Sequence, residues 1–273
     1  MALDRPGPAW LFCPADRPER FGKAAAIADV VILDLEDGVA AKDRESARAA
    51  LINTPLDPGR TVVRVNPSGT DEHQRDREAL AKTEYTTVML AKTESADQVS
   101  ALAPLDVLVL IETPLGALNV VESVKADNAY AVMWGAEDLF AVTGGTANRR
   151  ADGSYRDVVQ HVRSQTLLAA KAYGRLALDA VYIDIKDLDG LRAESDDAVA
   201  VGFDCKVAIH PNQVAVIRDA YTPSEEQVCW ARRVLAEVAN QRGVFAFEGI
   251  MVDAPVLRRA ERIVGLAPHP GAS

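Results

Sequence analysis

Eight short apolar runs punctuate the chain: Ala9–Pro14, Val30–Asp37, Thr61–Asn66, Thr87–Lys92, Asp106–Glu112, Tyr130–Asp138, Ala180–Asp184 and Lys206–Pro211. They are rich in Val, Ile and Leu and do not alternate with polar residues. Runs of that kind predict parallel strands buried on both faces. The segments between them predict helices. Pro18 to Ala28 opens with a proline, which a first helical turn tolerates. Asp157 to Tyr173 places Val158, Val162, Ala169 and Ala172 near one face and ends at Gly174. Eight strand–helix alternations predict an α/β fold of the TIM, or (β/α)8, barrel type. A doubly wound open sheet is the runner-up. It calls for a glycine-rich turn after the first strand, and Cys13-Pro14-Ala15-Asp16-Arg17-Pro18 is not one.

A further piece follows the eighth run. Ser224 and Gln227 form a capping box for a helix over Glu225–Gln241. Phe245-Ala246-Phe247-Glu248-Gly249 and a last helix from about Pro255 follow. The expected organisation is a barrel over residues 1–222 and a C-terminal helical extension, or flap, over 223–273, packing on the barrel or on a neighbouring subunit.

Polar residues gather where the runs stop. The second run ends in Asp34-Leu35-Glu36-Asp37-Gly38, the third in Arg64-Val65-Asn66, the fourth in Lys92 and the fifth in Glu112. The sixth ends in Glu137-Asp138, the seventh in Asp184 and the eighth in His210. Active sites of barrels of this kind lie at the C-terminal ends of their strands. Glu112 and Asp138 supply two hard oxygen ligands of the kind Mg²⁺ takes, with water and substrate completing its shell. The plainer readings are a solvated carboxylate for either and a helix N-cap for Asp138. Arg64, flanked by valines, needs an anionic partner. Glu36 or Asp37 could serve, as could a substrate carboxylate or enolate oxygen. For Lys92 a structural ion pair is the expected role, and His210 is expected only to orient its loop.

Composition narrows the classes. The 273 residues carry a formal net charge of -10, which argues against a nucleic-acid partner. Three scattered cysteines fit a reducing cytosol, with neither a disulfide framework nor a zinc cluster. No signal peptide is expected from Met1 to Pro8, and no run has the length of a membrane span, so the expected location is cytoplasmic. Within this acidic chain Arg17, Arg20 and Lys23 form a basic cluster beside Glu19. A helix start with nearby cations suits phosphate, although a solvated face accounts for the same composition. Thr143 to Tyr155 is long, polar and glycine-rich, and reads as a lid or as an ordinary surface loop.

Taken in order along the chain, several motifs resemble the citrate lyase β-subunit-like proteins of the HpcH/HpaI aldolase/citrate lyase family. They are Leu33-Asp34-Leu35-Glu36-Asp37-Gly38-Val39, Val63-Arg64-Val65-Asn66, Ile111-Glu112-Thr113 with Gly116, Gly135-Ala136-Glu137-Asp138-Leu139 and Ile209-His210-Pro211-Asn212-Gln213. The resemblance implies a Mg²⁺-dependent (or Mn²⁺-dependent) carbon–carbon lyase. It would cleave a 3-hydroxyacyl-CoA of the malyl, citramalyl or hydroxymethylglutaryl type to an acyl-CoA and a keto-acid. It implies that Glu112 and Asp138 bind the metal, that Arg64 contacts the keto-acid or enolate, and that Glu36 and Asp37 support the metal's water shell. Phe12, Arg17 and Lys23 would lie along the CoA nucleotide, which assigns the basic cluster, Arg20 included, to an anionic cofactor. The implied assembly is a homotrimer or a hexamer. In it Gly249-Ile250-Met251-Val252-Asp253-Ala254-Pro255 is a flap delivering Asp253 as acid/base to a neighbouring site. Without the resemblance, Asp253 reads as a helix N-cap. Leu90-Ala91-Lys92 departs from relatives that often carry proline before the lysine. The alternatives are a lyase subunit using a carrier-protein thioester, a keto-acid aldolase independent of CoA, and a non-catalytic CoA-binding protein.

Overall fold

The unbroken Val/Ile/Leu runs become strands because both faces of each are covered, one by the barrel interior and one by helices. A computed structural model of the chain describes residues 3, 6–238, 241 and 243–267. The strands are β1 (Ala9–Pro14), β2 (Val30–Asp34), β3 (Thr61–Val65), β4 (Thr87–Leu90), β5 (Asp106–Ile111), β6 (Ala129–Trp134), β7 (Leu176–Asp179) and β8 (Cys205–Ala208). They pair in parallel and in sequence order, and β1 also pairs with β8, closing the barrel. The predicted TIM-barrel architecture is present.

Between the strands stand α1 (Phe21–Ile27), α2 (Arg44–Asn53), α3 (Asp71–Leu80), α4 (Ala96–Ser100), α5 (Pro114–Lys125), α6 (Ala136–Thr143), α7 (Asp157–Ala172) and α8 (Leu188–Val201), followed by α9 (Pro211–Tyr221). Alternate strand residues fill the barrel: Trp10, Val30, Ile32, Val62, Met89, Leu108, Leu110, Ala131, Met133, Leu178, Cys205 and Val207 form one buried cluster. The intervening residues face the helices, as period-two strands require.

Three expectations are corrected. The seventh strand is β7, upstream of the apolar run Ala180–Asp184, which is irregular. The strand ends on a buried aspartate, Asp179, rather than on Asp184. The sixth strand stops at Trp134, so Glu137 and Asp138 lie in the first turn of α6. The buried face of α7 runs through Val159, Val162, Arg163, Thr166, Ala169 and Ala170, while Val158 and Ala172 are exposed. Arg163 belongs to the inner face because it pairs with Asp179.

The chain divides into two compact units, Met1–Ile217 and Arg218–Ser273. The second contains α10 (Glu225–Glu237), the hairpin β9 (Phe245–Phe247) and β10 (Ile250–Val252), and α11 (Ala254–Leu266). The capping box of Ser224 and Gln227 is formed. Ala231, Val234, Phe245, Val252 and Ala260 make this unit's own core. Among the described residues no helix is long and apolar enough to cross a membrane.

Candidate active site

The inward-facing rows of the barrel turn polar at the C-terminal end. Val30-Ile32 continues to Asp34, Val62 to Arg64, and Leu108-Leu110 to Glu112, each two residues on and so on the same face. Asp34 organises the loop after β2. Its Oδ1 accepts from the Glu36 amide at 2.9 Å and its Oδ2 from the Gly38 amide at 2.8 Å. Position 38 needs glycine because a Cβ there would fall 2.2 Å from Asp34 Oδ2.

Arg64 lies across this loop. It donates to both oxygens of Asp34 at 2.7 and 2.6 Å, and its Nη1 lies 3.2 Å from Glu36 Oε2. Its guanidinium stacks 4.7 Å from the centre of the Phe12 ring. The anionic partners of Arg64 are therefore Asp34 and Glu36, and Asp37 pairs with Lys92 instead. Behind the loop, Asn66 donates to the Leu35 carbonyl at 2.9 Å and to Asp76, which is ion-paired to Arg48.

Glu112 is 2% exposed. Gly135 closes over it, and a Cβ at 135 would fall 2.9 Å from the Glu112 Cβ. Burial pushes the Glu112 carboxyl up to about 8, and repulsion from Asp138 adds to the shift against the pull of Arg64 and Lys92. Burial also raises Glu36. Asp37 is lowered: burial opposes the shift, but the hydrogen bond and charge of Lys92 outweigh it. The N-cap of α6 is Gly135, so Asp138 is not the cap that plain sequence reading offered.

Lys92 is more central than its sequence reading as a plain ion pair implied. Its Nζ pairs with Glu36 and lies 3.1 Å from Asp37, 3.6 Å from Asp138 and 4.0 Å from Glu112. Its amide donates to Glu112 Oε1 at 2.9 Å. The mouth thus brings five carboxylates (Asp34, Glu36, Asp37, Glu112 and Asp138) to two cations, Arg64 and Lys92. A net negative, all-oxygen site with one deeply buried carboxylate fits a hard divalent ion. Among the described residues no three or more His, Cys, Asp or Glu side chains are arranged as a metal cage. Glu112 and Asp138 would give Mg²⁺ the one or two carboxylates it takes, with water completing its shell.

The remaining predicted residues make local contacts. Arg17 precedes a single 3-10 turn, Pro18–Arg20, and α1 starts only at Phe21, so Arg17, Arg20 and Lys23 are not one helical face. All three are exposed, and Arg17 and Arg20 have only loose contacts with Asp16 and Glu19, at 3.8 and 3.9 Å. Asp253, in the second unit, is the N-cap of α11 and accepts from the Val256 amide at 3.3 Å. His210 accepts from the Asn212 amide through Nδ1 at 3.3 Å, a local loop contact.

The segment Thr143 to Tyr155 is tied down. Asn148 donates to Glu137 at 2.7 Å, and Arg149 pairs with Glu194 at 2.7 Å while stacking on Tyr155 and Tyr182. A cavity of about 640 Å³ lies among Arg149, Tyr155, Arg163, Tyr182 and Glu194, and neither Glu112 nor Asp138 lines it. Glu194 leads to a second ionic cluster that the sequence reading missed. Lys206, fully buried, donates to Asp179 and Glu194 at 2.9 Å each and to the Ala180 carbonyl at 2.8 Å.

The HpcH/HpaI aldolase/citrate lyase family model matches residues 9–211. A citrate lyase subunit beta-like protein of Mycobacterium tuberculosis is 62% identical over 264 residues, covering 97% of each chain. Human mitochondrial citramalyl-CoA lyase is 31% identical over 296 residues, covering 96% of this chain and 86% of that one. The solved structure of Mycobacterium tuberculosis CitE with magnesium, acetoacetate and coenzyme A superposes with a TM-score of 0.93 at 62% identity, covering 96% of this chain and 98% of that one. With the barrel, its mouth and these likenesses together, the chain belongs to the HpcH/HpaI aldolase/citrate lyase family.

Proposed function

We propose that this protein is a Mg²⁺-dependent carbon–carbon lyase that cleaves a 3-hydroxyacyl-CoA thioester to an acyl-CoA and a keto-acid. The observation that carries the reading is the meeting of Glu112, Asp138 and Arg64 at one negatively charged barrel mouth. The magnesium, acetoacetate and CoA in the CitE structure support the ion and both ligand classes. The citramalyl-CoA lyase relative supports the reaction type.

Glu112 and Asp138 would hold the ion, with Mn²⁺ as a substitute. Bound there, Mg²⁺ would polarise the oxygens of the keto-acid end. Asp34 engages two of the five N–H bonds of Arg64 and, with the ion pair to Glu36, fixes the plane of its guanidinium, leaving other N–H bonds for a substrate oxygen. A carboxylate of the Glu36–Asp37 pair would take the proton of the 3-hydroxyl. The bond between C2 and C3 then breaks, a carbonyl forms at C3, and the electron pair passes to a thioester enolate facing Arg64. That enolate takes a proton at C2 from Asp253. Phe12, Arg17, Arg20 and Lys23 would bind the CoA nucleotide, since three exposed cations in an acidic chain suit its phosphates.

We place the catalytic barrel at residues 1–222 and a flap at 223–273. In a trimer or a hexamer the flap would carry Asp253 to a neighbouring site. Three free cysteines support a cytoplasmic location. The test is a panel of malyl-, citramalyl- and hydroxymethylglutaryl-CoA with and without Mg²⁺, following release of the keto product. Turnover of at least one thioester only with metal is expected. A purified chain inert toward all of them, or equally active in chelator, would sink the reading.

A further inference from the structure

We infer that Lys92 is a positioning residue that keeps the carboxylates of the mouth assembled and competes with a divalent cation for them. The inference rests on the metal reading given above. One ammonium reaches carboxylates from three strand ends: Glu36 and Asp37 after β2, Glu112 after β5, and Asp138 in the first turn of α6. The main chain of the same residue makes a further contact. Lys92 has φ +51°, in the left-handed region that side chains with a Cβ avoid. That turn aims its amide at Glu112 Oε1, 2.9 Å away. Lys92 therefore holds Glu112 through its backbone and the other carboxylates through its side chain. A non-glycine residue persists in such a conformation when its surroundings over-determine it, and such residues cluster at functional sites.

Competition follows from position. Nζ lies within 4.0 Å of both Glu112 and Asp138, the two carboxylates assigned to the ion. An ammonium is a compact point charge that draws the same oxygens a metal would draw. Its partners at Glu36 and Asp37 are nearer, so a divalent ion between Glu112 and Asp138 would leave Lys92 held on the acidic pair. Affinity for the ion is then set below what the carboxylates alone would give. In exchange, the ligands stay together when the ion leaves.

Calorimetric titration of the full chain with magnesium chloride alone tests this. Lys92→Met, which keeps the alkyl stem and removes the charge, should bind Mg²⁺ roughly ten-fold tighter or more. Lys92→Arg, which keeps the charge, should stay within about two-fold of the wild type. Glu112→Gln should show no binding. A gain in affinity cannot come from a loosened site, so it separates competition from a structural role. Unchanged or weaker binding by a folded Lys92→Met, with Glu112→Gln still inert, would overturn the role of Lys92 and leave the metal reading standing. A wild type that binds no Mg²⁺ would overturn both. Lys92→Gln is titrated if the methionine variant does not fold, and failure of both neutral variants to fold would make Lys92 a stability residue and refute the proposal.

Discussion

Two lysines in this barrel sit among carboxylates, and the sheet separates their surroundings. Lys92 lies in the mouth, where the inward rows of β2, β3 and β5 end in Asp34, Arg64 and Glu112. Lys206 lies on the outer face of β8, between the sheet and the helices, because its neighbours Cys205 and Val207 face inward. Around Lys206 three carboxylates, Asp179, Glu194 and Asp197, meet three cations, Arg149, Arg163 and Lys206. Around Lys92 five carboxylates meet two cations. Asp179, at the centre of the neutral cluster, accepts from Trp134, Arg163 and Lys206. This balanced cluster has its centre, Lys206 and Asp179, fully buried behind the sheet and joins elements there, while its rim, Arg149, Glu194 and Asp197, borders the cavity. An unbalanced one at a strand-end mouth is short of positive charge, and a divalent ion supplies it.

The largest expected effect separates the two lysines by stability. Removing one partner from a buried pair strands the others, at about 3–5 kcal/mol. Lys206→Met should therefore lower unfolding stability in denaturant by about that much. Lys92 is 28% exposed on its side chain, its partners Asp37 and Asp138 reach water, and burial already favours the neutral forms of Glu36 and Glu112. Lys92→Met should cost about 1 kcal/mol without metal. Equal costs for the two variants would erase the distinction between a structural and a functional cluster.

Glu112→Gln sharpens the same contrast through activity. It should lower metal-dependent turnover by about 100-fold or more while the protein stays folded. Full activity in that variant would remove Glu112 from the site. The two clusters should also titrate in opposite senses. Asp179 is held below its ordinary value: burial works against this, but Lys206 and Arg163 outweigh it. Its stabilisation is present above the unfolded carboxylate value near 3.9 and is lost as pH falls through its folded value. Glu112 is shifted the other way, from 4.5 to about 8. Its share of stability is complete below about pH 4.5 and is lost as pH rises through about 8. Denaturant curves of the metal-free chain from pH 5 to 9 should show that decline, and Glu112→Gln should flatten it. An identical slope in the variant would mean that Glu112 is not the titrating group.

The mouth was more legible in sequence than the cluster behind the sheet, for a physical reason. Asp34, Arg64 and Glu112 continue inward rows of apolar residues, so a polar side chain closing an apolar run marked each one. Asp179 and Lys206 face the helices, and their partners are distant in sequence: Arg163 is 16 residues and Lys206 27 residues from Asp179. An aspartate ending a short strand also made the neighbouring apolar run look like the better seventh strand. In α7 the same pairing turns Arg163 inward and puts Val159, not Val158, on the buried face. Lys92 was visible as a strand-end charge, but its reach to Glu36, 56 residues away, and its left-handed backbone were not.

Asp253 lies in the second unit, and its variant carries the smallest expected effect on the fold. As N-cap of α11 it satisfies one orphan amide, that of Val256. Losing a cap costs about 1 kcal/mol. Asp253→Asn can still accept that hydrogen bond, so it should cost less than Asp253→Ala in thermal unfolding. If Asp253 also donates the proton to the enolate carbon, both variants should stop turnover, because an amide caps a helix but does not supply a proton. Binding of CoA and of Mg²⁺, followed by calorimetry, should be unchanged in both. Turnover that follows stability, retained in Asp253→Asn and reduced only slightly in Asp253→Ala, would make the residue a helix cap and nothing else.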